Sequence, residues 1–443
     1  MEMYIFALNL TCMEQINTID KISAVYRNTA EEARQELNKV QQKIYRIGSL
    51  RLLLFVAGVV GIIYFWSESW GILACIALIT LLPFLFLMKY HNRLFHRKDY
   101  LEKGMRTENI QIIGVEMGGV DVCFAVIERR RIVIQSGEFL LVDFHLLFQY
   151  INRTSTQPGK HRLAHWLGKH LERKEEIIRR QEAVSELAPE LKFRQRFRIL
   201  GLLYKGKAAD ETELCQWAES PSIFRSRKLL RLLPILVTGA NLICLALVMA
   251  GILSASIYGI IWTCFVIAGF GFTGKVTKMQ AIYGKKLQIL STYAALLHLM
   301  EKQPAQATLL KEIRQQIDGE KRKASHSISR LNKLMDELDQ RNNVFMYVIL
   351  NGLFFWELRQ IMRIEAWKEQ YAAELPGWLD AIGQMDALNS LATFAYNHPD
   401  YIYPKIVQAE RKGKGAFLLV HGVGTFQNFV EDDEKLHQPA ACL

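Results

Sequence analysis

The chain has 443 residues, 50% hydrophobic and 22% charged, with a formal net charge of +11 and a pI near 9.2. That length suffices for two or three domains, and a mean hydropathy of +0.06 beside so much charge means that strongly apolar segments alternate with strongly polar ones. The 7 scattered cysteines form no C-x-x-C pair, which excludes a disulfide framework or a zinc site and fits a reducing compartment; the basic balance suits nucleic acid or an anionic membrane surface.

In chain order, residues 1–50 read as an N-terminal cytoplasmic helix, with Ile22, Val25, Ala33, Leu37, Val40 and Ile44 at helical spacing between charges. Two nearly charge-free runs follow, "LLLFVAGVVGIIYFW" (52–66) and "WGILACIALITLLPFLFLM" (70–88), and predict a transmembrane hairpin over 51–89. Residues 90–146 form a cytoplasmic segment whose stretches "IQIIGVEM", "VDVCFAVI", "RRIVI" and "FLLVDF" read as short strands. Residues 147–228 read as core helices. A second hairpin, 229–273, is predicted from "LLPILVTGANLICLALVMAG" (232–251) and "ILSASIYGIIWTCFVIAGFGF" (252–272). Long helices fill 274–404, and 405–443 is a divergent tail.

Lys and Arg flank the hairpins on one side: Arg46 and Arg51, Lys89 and Arg93, Arg225 to Arg231, then Lys275 and Lys278. The turns "SES" and 250–254 carry no basic residue. This predicts a multi-pass inner-membrane protein with both termini and all soluble regions cytoplasmic. The runs hold no Asp, Glu, Lys, Arg or His in their interiors, which favours anchoring over transport.

The stretch "GFGFTGKVT" (269–277) has the order G-x-x-x-x-G-K, but Val276 stands where a phosphate loop needs Ser or Thr, and an apolar run precedes it. It is better read as a helix leaving the membrane. His161 and His165 are spaced for one helical face, with no Glu or Cys to complete a metal site. No catalytic residues and no metal ligands are assigned. Lys311, Arg314, Lys321, Arg322, Lys323, Arg330 and Lys333 are candidates for a DNA-backbone face; the plainer reading is a solvated helix surface, because Glu312, Asp318, Glu320, Asp336 and Glu337 interleave.

The most specific pattern is "LFQYINRTSTQPGKHRLAHWL" (147–167) followed by "IIRRQEAVSEL" (177–187). Thr156 is placed to cap a helix, with Pro158 in its first turn and Gly159 permitting close approach. Leu163, Trp166 and Leu167 then make a buried face. The run Asn152, Arg153, Thr154, Thr156, Gly159, Trp166, Leu167, Arg180 and Gln181 resembles the core domain of the MutS family of DNA mismatch-repair ATPases. "ALNSLATFAYNHPDYIYP" (387–404) is similar to the place where that family's lever returns to the core, and 338–370 resembles the helical region before it. The paired hairpins suggest a membrane-associated MutS-like subgroup.

The resemblance implies a mainly α fold: a helical MutS-like core and lever, two transmembrane helical hairpins and a small β-containing segment. It implies membrane and DNA as partners, a homodimer in the complete form, and ATP with Mg as the complete family member's cofactors. No mismatch-reading domain precedes the first hairpin, no usable Walker A motif is present, and the ATPase domain would begin near 405–420. The expectation is therefore a truncated scaffold that holds no cofactor and has no ATPase activity of its own. The alternative is a membrane-bound helical scaffold without a nucleic-acid role.

Overall fold

The computed structural model describes residues 2–65, 70–117, 147–169, 171, 173–203, 208–283, 287–319, 323–339, 344–399, 403, 405–409 and 417–421. Almost all of these are helical. The chain divides into two compact units: one of 1–151, 194–203 and 393–441, the other of 152–193, 204–392 and 442–443.

The first unit is built on α1 (Glu2–Tyr64) and α2 (Trp70–Met117). They pair as an antiparallel hairpin: Phe55 meets Phe84, Gly58 packs on Thr80, and Arg97 donates to Glu36 at 2.5 Å. Leu37, Val40, Leu94 and Leu101 form its buried seam, flanked by Ile44, Ile47, Tyr100 and Met105. The residues read as a leading helix and those read as a membrane run are therefore one uninterrupted helix. The reading of 110–117 as a strand is corrected: "IQIIGVEM" is the last part of α2. Its β-branched residues favour a strand locally, but Gln111 is buried and accepts from Asn397 at 3.4 Å, so tertiary packing overrides propensity. The other strand expectations, 118–146, lie outside the described residues.

Also in this unit are α5 (Leu191–Leu203) and the end of α14 (Leu375–Asn397). A buried polar network joins them to the hairpin. Tyr26 donates to Asn397 at 2.9 Å, Arg194 donates to Thr393 at 2.8 Å and stacks on Tyr396, and Gln195 donates to Glu108 at 2.9 Å. Burial pushes Glu108 from its ordinary 4.5 up to about 7, against the pull of Gln195, Arg198 and Arg194. The folded protein thus holds a proton that the unfolded chain has already released. That contribution is complete below about pH 4.5 and lost as pH rises through about 7. The thermal midpoint should fall from pH 5 to pH 8 more steeply in the wild type than in Glu108→Gln, by the equivalent of about 2–3 kcal/mol. Equal slopes would remove Glu108 as the source.

The second unit contains α3 (Gln157–Gly168), α4 (Lys174–Leu187) and α6 (Ala208–Glu219). Then come α7 (Lys228–Met249), α8 (Ala255–Tyr283), α9 (Leu287–Lys302) and α10 (Thr308–Ile317). Last are α11 (Ala324–Asp339), α12 (Val344–Phe354), α13 (Trp356–Tyr371) and most of α14. On α10, Leu310, Ile313 and Ile317 make the buried stripe; on α11, Ala324, Ile328, Leu331, Met335 and Leu338 do so with alternating steps of four and three. Most of α14 is buried around its circumference, from Leu375 and Trp378 through Ile382 to Leu388, which marks it as a central helix.

Among the described residues two helices are long and apolar enough to cross a membrane, Ile19–Tyr64 and Leu229–Met249, and Ala255–Gly271 is a shorter apolar helix. Their apolar side chains face outward: Leu53, Phe55 and Ile63 on α1, Leu236, Ile243 and Met249 on α7, Ile260 and Ile267 on α8. Gly251, at a φ of 73°, ends α7 in a left-handed cap that returns Ile252 N–H to Leu247 at 3.0 Å. The stretch "GFGFTGKVT" lies wholly within α8, where no phosphate-binding loop exists. Beyond α14 the expectation of helix alone fails: β1 (Lys405–Ala409) pairs antiparallel with β2 (Phe417–His421). Both strands are rich in β-branched or aliphatic residues, and "GKG" stands between them.

Candidate functional site: a core junction and a cationic groove

The motif residues 152–159 form a preformed helix start. Asn152 Oδ1 accepts from Thr154 N at 3.1 Å and from its hydroxyl at 2.6 Å. Thr156, in extended backbone, caps α3 by accepting from Gly159 N at 3.1 Å. The distant partner is Asp386 on α14, which the sequence reading did not single out. It accepts from Ser155 N at 2.9 Å, Thr156 N at 2.8 Å and the Thr156 hydroxyl at 2.7 Å. Burial pushes Asp386 up to about 6, opposed by those donors, so at pH 7 the carboxylate is charged at the N-terminus of α3, where a helix favours an anion.

Contacts around this junction are close. A Cβ on Gly159 would overlap the Asp386 carboxylate, and one on Gly383 would sit 2.9 Å from Pro158 Cβ. Arg153 N donates to Ser390 at 2.7 Å, and Arg162 pairs with Asp380. The Arg180 guanidinium lies 4.1 Å above the Trp166 ring; burial lowers its pKa to about 10. Leu167 and Gln181 are half-buried beside them. The two separated sequence blocks, 152–181 and 387–392, thus meet in one junction. The Ser155 and Thr156 donors and the Asp386 carboxylate at its centre satisfy one another, which docks the two parts of the fold together.

The basic candidates fall on α10 and α11. Lys311, Lys323, Arg330 and Lys333 are exposed, whereas Arg314 is half-buried. It donates to the Gln303 and Glu301 carbonyls at 3.1 and 3.2 Å and pairs with Asp318, so it braces the turn after α9. Lys321 and Arg322 lie outside the described residues. Several of the interleaved acids are engaged: Glu312 with Arg179, Asp318 with Arg314, Glu337 with Arg363.

Between α9 and α11 runs an open groove of about 920 Å³, whose lining includes His298, Lys302, Lys323, His326, Ser329 and Asn332. Its one acid, Glu301, is buried and accepts from Ser325 N at 3.0 Å and the Ser325 hydroxyl at 2.7 Å. The groove therefore presents lysines, imidazoles and hydroxyls without an open carboxylate. His161 and His165 lie exposed on α3, away from it in sequence and element. Comparison with known proteins gave no match: no family model, no curated protein and no solved structure is similar to this chain.

Proposed function

We propose that the chain is a membrane-anchored helical scaffold of the MutS core-and-lever kind, which holds the phosphate backbone of DNA along α11 and the α9–α11 groove. The observation that carries this reading is the junction at Asp386. The motif block and the block that begins at 387 are more than 200 residues apart in sequence, yet they meet where Arg153 N donates to Ser390 at 2.7 Å, beside the contacts of Thr156 and Gly159 with Asp386. The exposed Lys323, Arg330 and Lys333, with Glu337 paired to Arg363, support phosphate contact. Membrane attachment through both hairpins, with soluble regions on the cytoplasmic side, follows from the outward apolar faces and the one-sided basic flanks. In the MutS family ATP and Mg belong to an ATPase domain.

The test is duplex DNA binding by the detergent-solubilised chain across a salt series. Binding should weaken steeply with salt. Combining Lys323→Gln, Arg330→Gln and Lys333→Gln should make the log–log slope shallower by about 3, close to one phosphate per residue. Unchanged slope in the triple variant would sink the assignment. The exposed apolar helices favour a second reading, a membrane scaffold with no nucleic-acid role; binding to anionic vesicles without any DNA shift is its signature.

A further inference from the structure

Helix α12, "VFMYVILNGLF", is wholly apolar except for Asn351. It packs against both helices of the second hairpin. Tyr347 stacks on Phe270 with ring centroids 5.1 Å apart. Gly352 lies against α8 so closely that a Cβ would sit 2.5 Å from Trp262 Nε1 and 2.7 Å from Val266. As α12 advances from Tyr347 to Gly352, five residues or about 7.5 Å, its neighbours on α8 step back from Phe270 to Val266 and Trp262, with Gly269 beside Asn351. The helix thus follows α8 away from its basic, Lys275 end.

Where α12 stops, its last carbonyls need donors, and hydrocarbon supplies none. Asn241, buried in the middle of α7, provides them: its side-chain amide donates to Gly352 O at 3.1 Å and Leu353 O at 3.3 Å, while Tyr258 donates to its Oδ1 at 3.3 Å. Asn241 is ten residues past Arg231, about 15 Å along the helix, which is half of a hydrocarbon core about 30 Å thick. The chain then reverses at Phe355, held at a φ of 47°. A bulky residue there is a true outlier. Phe355 N donates to Asn351 O at 3.0 Å, and Glu357 N to Asn351 Oδ1 at 3.0 Å. From there α13 leads to Glu365 and Lys368, which hold residues 220–225 on the aqueous side of α7. The outer side of α12 carries Ile349, 46% exposed, continuing the exposed apolar faces of α7 and α8.

We propose that α12 forms a re-entrant membrane element, with Ile349 in contact with lipid acyl chains and Asn241 as the lock that closes its end, where α13 turns back with Arg359 exposed and Trp356 donating to the Glu337 carbonyl of α11 at 3.4 Å. This rests on α7–α8 being a membrane hairpin. The test uses the full chain in phosphatidylcholine–phosphatidylglycerol vesicles, with native cysteines replaced by alanine and single nitroxide-labelled cysteines at Ile349, Ile243, Ile260 and Arg330. Collision with oxygen against a nickel chelate reports depth. The expected result is an oxygen preference at Ile349→Cys matching those at Ile243→Cys and Ile260→Cys and several-fold above Arg330→Cys. If position 349 behaves like 330 while 243 and 260 remain lipid-like, the re-entrant element is overturned and the hairpin stands; if all four behave like 330, both fall. Adding Asn241→Leu should move position 349 toward the aqueous value and leave 260 unchanged. A lipid-like 349 in that variant would overturn the role of Asn241.

Discussion

Asp386→Ala should destabilise the second unit by about 3–5 kcal/mol, because it strands the donors of Ser155 and Thr156 in a buried site and removes the charge at the start of α3. Asp386 is only 2% exposed, so water cannot replace the lost acceptor. Gly159→Ala should cost a similar amount by another route, since its methyl overlaps the same carboxylate. The pair is diagnostic. In an Asp386→Gly background, which removes the Cβ as well as the carboxylate that the methyl would meet, Gly159→Ala should then cost about 1 kcal/mol or less, a non-additivity expected only of residues in direct contact. Denaturant unfolding of the detergent-solubilised chain, followed by fluorescence of the buried Trp378, reads all four corners of the cycle. Additive losses would show that the junction is not organised around this contact.

Glu365→Ala is the second large effect. Glu365, 1% exposed, accepts from the consecutive amides of Ile223, Phe224 and Arg225 at 2.8, 3.1 and 2.6 Å. One turn on, Lys368 donates to the Ser220 carbonyl at 2.8 Å and its hydroxyl at 2.6 Å and lies 5.1 Å above the Trp217 ring. Together they clamp the loop between α6 and α7. Removing the carboxylate leaves three amides without their acceptor, that of Phe224 buried, and Lys368 without its nearby counter-charge, a loss of about 3–5 kcal/mol. Glu365→Gln keeps an acceptor and should lose roughly half as much. Protease nicking at Arg225 and Arg227 checks the location: cleavage should accelerate in Glu365→Ala and stay slow in Asp386→Ala. Equal rates in the two variants would contradict the clamp.

What the sequence made legible was local. The cap at Thr156, Pro158 in the first turn and the apolar runs each follow from a few adjacent residues, and each is where it was expected. Helix periodicity likewise carried α10 and α11. The parts it left out depend on partners far along the chain. Asp386 and Glu365 look like ordinary acids on helices until the amides of 155–156 and 223–225 are brought to them. Of the acids that interleave with the basic candidates, Glu312, Asp318 and Glu337 are paired with Arg179, Arg314 and Arg363, and only Arg314 is near in sequence. Asn241 drew no notice because it is uncharged, yet a single amide in an apolar helix is the group a buried helix end needs. At 110–117, local β-propensity pointed the wrong way, since a buried Gln111 and the helical register of α2 outweigh a run of isoleucines.

The continuous pairing of α1 with α2 has a mechanical meaning. From Ile19 to Tyr64 the helix contains no proline, and the seam from Leu37 to Leu101 keeps the two strands of the hairpin from sliding. Along α1 there is thus no proline hinge between the buried seam and the exposed apolar end. A torque applied where Tyr26 and Glu108 are buried is carried along that helix to the segment bearing Phe55 and Ile63, so the two ends tilt as one.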